Sequence, residues 1–216
     1  MSMSQNTDQD SPAIIREPTE WVRTWVPDSH LSQLNKPRVL LIGDSIVMGY
    51  GPKTSELIGE AVSLAWIGTS RFPADPAFFD EISLVLRHTR FDAVHFNNGL
   101  HGFGYEETQY AEHLKRIARQ LRDATPEAIW MLANSTPLRD PNNLEQYAER
   151  NERVLVRNQT MASLAEELNL PMTDLYHAMA EHPEFYCPDG THFNETGIAE
   201  QADHVAAMIR QQVLAK

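Results

Sequence analysis

The sequence predicts an α/β fold: a three-layer α/β/α sandwich around a central five-stranded parallel sheet. Short continuous apolar runs, of the kind buried on both faces of a parallel sheet, recur along the chain. Segments with the 3.6-residue apolar period of helices lie between them. The length of 216 residues, with a single cysteine, suits one domain that buries a full core without a disulfide.

Residues 1–18 are polar apart from Ile14 and Ile15 and are expected to form a disordered or loosely docked tail, leaving 19–216 as one domain. Trp21, Val22, Trp25 and Val26 have the spacing of a short amphipathic helix or turn. The strands are expected at Arg38–Ile42, Ala61–Ile67, Ala93–Phe96, Ala128–Leu132 and, more weakly, Pro171–Leu175. Tyr110, Leu114, Ile117, Ala118 and Leu121 mark one helix. A longer one is read from Leu144, Tyr147 and Ala148 through Val154, Met161 and Ala165 to Leu168. Ile198, Ala202, Val205, Ala206 and Ile209 mark the last helix, with Asn194 as its N-cap.

Eighteen basic against 30 acidic side chains leave a net charge of −12, which argues against nucleic acid and anionic membrane surfaces as partners. No apolar run is long enough to span a bilayer. Residues 1–12 lack the basic and apolar regions of a secretory signal, so the expected compartment is the cytoplasm. No heptad or self-complementary patch indicates an oligomeric state.

In open parallel sheets the chemistry sits beyond the carboxyl ends of the strands. The first strand ends in Gly43-Asp44-Ser45, which puts a hydroxyl at a helix N-terminus, beside amides able to hold an oxyanion. The third ends in His95-Phe96-Asn97-Asn98-Gly99-Leu100-His101, where a side-chain amide offers an oxyanion donor, although Asn-Gly is also ordinary turn chemistry. Before the last helix, Asp189 and His192 are three apart across a glycine-containing turn, a spacing that brings a carboxylate onto an imidazole. Nucleophile, oxyanion donor and oriented base are complementary roles on one sheet rim.

Gly43-Asp44-Ser45, Asn97-Asn98-Gly99-Leu100 and Asp189-x-x-His192 resemble the blocks of the SGNH hydrolases, also called the GDSL esterase/lipase family, over about residues 38–210. The resemblance implies the flavodoxin-like SGNH hydrolase fold and a serine esterase needing no cofactor or metal. Its substrate would be a small-molecule ester, with short acyl groups preferred, including O-acetyl groups on carbohydrate. By the same resemblance Ser45 is the nucleophile, His192 the base and Asp189 its partner. The oxyanion hole is made by the Ser45 N–H, the Asn97 side chain and a backbone N–H after the second strand. Ser70 is preferred for that last position, with Gly68 as the alternative. His95 stands where the family usually has glycine.

Arg71, Asn98, His101 and Tyr50 are candidates for substrate contact. For Arg71 a structural ion pair is the commoner fate. Any preference for polyanionic esters is disfavoured by the net charge, with Arg71 as a local exception. Asn151 and Asn158 lie in phase with an apolar helical face and are expected to tether a strand-end loop. Cys187 has no role that follows from sequence. Two rival readings use the same residues. One is a metal-dependent phosphoesterase built on Asp44, His95, Asp189 and His192, for which no His-x-His, His-Glu-x-x-His or cysteine pair supplies ligand spacing. The other is a non-catalytic binding domain that retains the motifs.

Overall fold

A computed structural model describes residues 14–215; the first 13 residues of the expected tail lie outside the described residues. Five parallel strands form the sheet core: β2 (Arg38–Gly43), β3 (Ser63–Thr69), β4 (Ala93–Phe96), β5 (Ile129–Ala133) and β8 (Met172–Thr173). A sixth strand, β1 (Val22–Trp25), pairs antiparallel with β3 and completes the order β1-β3-β2-β4-β5-β8.

The helix or turn expected at Trp21–Val26 is therefore a strand. Its backbone groups have a partner in the open edge of β3, which outweighs a four-residue helical spacing. Trp25 then stacks on Trp66 of β3, ring centres 5.8 Å apart.

Period-two alternation sends successive strand residues into two cores. Leu40, Ile42, Val94 and Phe96 pack beneath α2 (Pro76–His88), α3 (Glu107–Ala124) and α4 (Asn151–Leu168). Val39, Leu41, Leu64 and Met131 pack against α1 (Ser45–Ile58), α5 (Leu175–Ala180) and α6 (Glu195–Ile209). As expected, Asn194 caps α6, its side chain accepting the Thr196 and Gly197 amides.

The long helix begins later than its apolar period suggests. Leu144 and Tyr147 lie in β7 (Asn143–Tyr147), which pairs with β6 (Arg139–Asp140) as a separate hairpin. Pro141-Asn142 makes the turn, and Asn142 N–H donates to Asp140 Oδ1 at 2.9 Å. Asn151 and Asn158 do tether the loop after β5. Asn151 accepts the Leu138 amide at 2.9 Å, and Asn158 both accepts from and donates to the Ser135 backbone at 2.8 Å. No helix among the described residues is long and apolar enough to cross a membrane.

Candidate active site

Asp44 follows β2 and caps α1 through Ile46 N–H, 2.9 Å from its Oδ1. That cap starts the helix at Ser45, whose own N–H has no carbonyl one turn earlier to bond. Across the rim, Asp189 Oδ1 accepts the amides of Thr191 and His192, each at 2.9 Å, closing the turn that holds both side chains. Gly190, at φ +68°, makes this turn possible; a Cβ there would stand 2.1 Å from the Arg139 carbonyl oxygen.

Asp189 Oδ2 then lies 2.7 Å from His192 Nδ1, and His192 Nε2 lies 2.8 Å from Ser45 Oγ. Burial pushes the Asp189 carboxyl up. Hydrogen bonds from the His192 ring and from the two amides outweigh it and hold the group below its ordinary range. A hydroxyl, an imidazole and a carboxylate thus form one hydrogen-bonded line at the C-terminal rim.

In the third block the two asparagine amides are bonded differently. Asn97 spends both amide hydrogens on the carbonyls of Ala133 and Asn134, at 2.9 and 2.8 Å, clamping the ends of β4 and β5 together. Its neighbour Asn98, also in the loop after β4, is directed instead toward the loop after β3. It is 1% exposed, with Nδ2 3.5 Å from the Arg71 carbonyl in the loop after β3 and Oδ1 unpartnered. Asn98 Nδ2 thus makes one long bond where Asn97 makes two short ones.

The second block is also corrected. Ser70 N–H donates to the Trp21 carbonyl at 3.0 Å, while Ser70 Oγ accepts the Trp21 amide at 2.8 Å. The residue is spent on anchoring β1. Gly68 lies in the ladder between β1 and β2, and its lack of a Cβ admits Met48 and the Asp44 carbonyl, 2.5 and 2.9 Å from where that atom would be.

Two further substrate candidates are corrected. Tyr50 is completely buried in the core beneath α1, where burial raises its phenol pKa. Arg71 is engaged by carboxylates: it donates to Glu81 at 3.0 Å and Asp75 at 3.2 Å, and also pairs with Glu20. Three carboxylates thus neutralise it through Nε and Nη1, the structural ion-pair fate that is commoner for such a residue. His101 does line the cleft, beside Ser45, His192 and Met48.

Sequence reasoning missed the parts contributed from a distance. Trp21 and Arg23 of the β1 edge form one wall of a cleft of about 300 Å³ containing Ser45 and His192. Residues 15–20 cross the rim as a strap. Ile15 N–H donates to Tyr105 Oη at 2.7 Å, and Glu17 meets His101 Nδ1 at 2.9 Å. From α4, the buried Arg157 donates to the carbonyls of Gly99 and His101, at 3.0 and 2.6 Å, and to Glu107 at 2.7 Å. It organises the loop that carries Asn98 and His101. The only sequence signal for it was an arginine beside Asn158 on a helix already read as loop-tethering.

The metal reading loses a member to the core. His95 is fully buried in β4 against Thr173, and burial pushes its imidazole down to about 4. Among the described residues no group of three or more His, Cys, Asp or Glu side chains is arranged to hold a metal ion.

Among solved structures, the chain is similar to a GDSL-like lipase from Bacteroides thetaiotaomicron, with TM-score 0.67 and 16% identity over 85% of this chain and 93% of that one. It is also similar to the native aryl esterase of M. smegmatis, with TM-score 0.65 and 15% identity over 82% of this chain and 100% of that one. A third likeness is to a carbohydrate acetylesterase from Sinorhizobium meliloti, with TM-score 0.63 and 13% identity over 82% and 99%. At these identities the likeness is one of fold. No curated protein matches the chain. The sequence pattern of the GDSL-like lipase/acylhydrolase family matches residues 41–199, most of the chain. The chain belongs to that family, the SGNH-type serine hydrolases that act on ester bonds.

Proposed function

We propose that this protein is a serine esterase in which Ser45, His192 and Asp189 form the catalytic triad. The observation that carries the reading is the line Asp189 Oδ2–His192 Nδ1–His192 Nε2–Ser45 Oγ, with links of 2.7 and 2.8 Å. His192 Nε2 takes the Ser45 proton as Oγ attacks the ester carbonyl carbon, and the Asp189 carboxylate stabilises the imidazolium. The oxyanion is held by the Ser45 N–H, and Asn98, whose amide bond to the Arg71 carbonyl is long at 3.5 Å, turns Nδ2 to it as the second donor. Collapse expels the alcohol, which takes the proton from His192. Water, deprotonated by His192, then cleaves the acyl-Ser45 ester and releases the acid.

The modest cleft beside Ser45 supports short acyl groups, and the fold shared with a carbohydrate acetylesterase supports O-acetyl sugars as their carriers. Mass spectrometry after treatment with a fluorophosphonate should find Ser45 labelled, and Ser45→Ala should abolish hydrolysis of 4-nitrophenyl acetate while the protein stays folded. Near-wild-type turnover by Ser45→Ala would sink the reading. Chelator-sensitive turnover that ignores the fluorophosphonate would favour the metal phosphoesterase. A well-folded protein with neither labelling nor turnover would favour a binding domain.

A further inference from the structure

Two cavities meet at His101 on the rim of the sheet. The smaller, about 300 Å³, is lined by Ser45 and His192. The larger, about 520 Å³, is lined by Thr191, next to His192, and runs under the strap of residues 15–20. The chemistry gives them different halves of an ester. The acyl carbon bonds to Ser45, so a short acyl group stays in the smaller cleft. The alcohol takes its proton from His192 as it leaves, so its body extends past Thr191 into the larger cavity.

Ile15 to Pro18 of the strap form one wall of the larger cavity, and the loop after β4 forms the other. Hydrogen bonds fix the strap there. Ile15 N–H donates to Tyr105 Oη at 2.7 Å, and Glu17 binds His101 and the Gly102 amide at 2.9 and 3.0 Å. The same contacts use the charges of the walls. Arg16 pairs with Glu20 at 2.9 Å and Asp75 at 3.3 Å. Arg150 stacks 5.4 Å over the Phe103 ring and lies within Coulombic reach of Glu17. What remains open to a ligand is apolar. Ile15 is 48% exposed although its own amide is anchored. Opposite it lie Leu100, Phe103 and Leu138, which pack together in a small cluster. A cavity of this size with apolar walls takes small molecules, and a bound ring would dry the open face of Ile15. The strap also lies outside residues 41–199, the span that the family pattern matches, so it stands apart from the shared frame of Ser45, Asn98 and His192.

We propose that residues 15–20 are a specificity strap, and that the cavity they wall binds the alcohol part of a short-chain ester through an apolar, ring-sized face. This rests on the esterase reading above: it keeps the short acyl group and adds what the carrier alcohol must present.

The test uses the full chain and a matched set of esters. Ethyl acetate is the reference, cyclohexylmethyl acetate carries a ring on the alcohol, and ethyl cyclohexylacetate carries the same ring on the acid. Wild type should favour cyclohexylmethyl acetate over ethyl acetate about tenfold or more in kcat/KM, with no such gain for ethyl cyclohexylacetate. Ile15→Ala should remove most of that preference, chiefly by raising KM for the ring ester. Gly104→Ala reaches the strap from the opposite wall. Its Cβ would stand 2.7 Å from Ile15 Cγ2, so it displaces that side chain and should narrow the preference too. Equal kcat/KM for the two acetates, a gain on the acid side instead, or variants that slow both acetates alike would overturn the strap. Hydrolysis of 4-nitrophenyl acetate separates the two failures. If it depends on Ser45 and no ring preference appears, only the strap falls. If Ser45-dependent turnover is absent, the esterase reading falls, and saturation-transfer NMR with cyclohexylmethanol decides the cavity alone. Wild-type binding that Ile15→Ala weakens supports it; no binding, or none lost, overturns it.

Discussion

Glu17 and His101 meet at 2.9 Å, carboxylate Oε2 against imidazole Nδ1, while the other Glu17 oxygen accepts the Gly102 amide at 3.0 Å. This contact ties the strap before β1 to the loop after β4, and so joins two walls of the cleft. Burial pushes the Glu17 carboxyl up, but the bonds from His101 and Gly102 outweigh it and leave it below its ordinary 4.5. Burial pushes the His101 imidazole down, but Glu17 outweighs this and leaves it above its ordinary 6.5. The His101 share of stability is complete below pH 6.5 and is lost as pH rises through the raised value. The Glu17 share is present above pH 4.5 and is lost as pH falls through the lowered value. The melting-temperature gap between wild type and Glu17→Gln is therefore expected to be widest between about pH 4.5 and 6.5, and to narrow on both sides. A gap constant from acid to alkaline pH would refute the ionic contact.

The two neighbouring asparagines are expected to separate stability from turnover. Asn97→Ala strands two carbonyls that it now satisfies and should destabilise the protein by about 1–3 kcal/mol. Asn98→Ala removes the proposed oxyanion donor and should lower kcat roughly 10²–10³-fold with little change in melting temperature. Urea unfolding alongside steady-state kinetics on 4-nitrophenyl acetate checks both. The reverse pattern would restore Asn97 to the oxyanion position.

Arg157 is 1% exposed, and its charge is matched by Glu107 and by the carbonyls of the 99–102 loop. Arg157→Met leaves those acceptors short of a buried donor and should cost about 3–5 kcal/mol. Arg157→Lys, without the fork, should recover only part of this. Chemical denaturation measures the loss. An Arg157→Met protein as stable as wild type would show that the loop holds its shape without the guanidinium.

His95 sets an acid limit on the fold. Its imidazole is fully buried and held neutral, its pKa pushed down to about 4, whereas the unfolded chain takes up that proton near 6.5. Stability is expected to fall as pH drops from 6.5 toward 4, by ~3 kcal/mol from this group alone. A neutral side chain such as Asn at position 95 should flatten that part of the profile in urea titrations. An unchanged acid profile would assign the slope to other groups.

The features legible in the sequence are those that short-range physics dictates. Apolar runs specify buried parallel strands because both faces of such strands must be dry. The Asp189–His192 spacing specifies a contact because a turn closed by the aspartate on nearby amides is a local event. Ser45 stands half-buried at the rim because a strand ends and a helix begins there.

What only the tertiary structure decided depends on partners far along the chain. Asn97 and Asn98 are indistinguishable as letters, but the end of β5 offers two carbonyls to the first and the loop after β3 only one, more distant, to the second. Ser70 loses its free amide to Trp21, 49 residues away, because an open sheet edge captures a strand that a helical spacing had disguised. Arg71 and Arg23 exchange parts for the same reason. Glu20 from the strap, with Asp75 and Glu81 from nearer in the chain, neutralises the first, whereas the second lines the cleft with no ion pair among the described residues. Composition counts charges, but it is packing that determines which of them remain available.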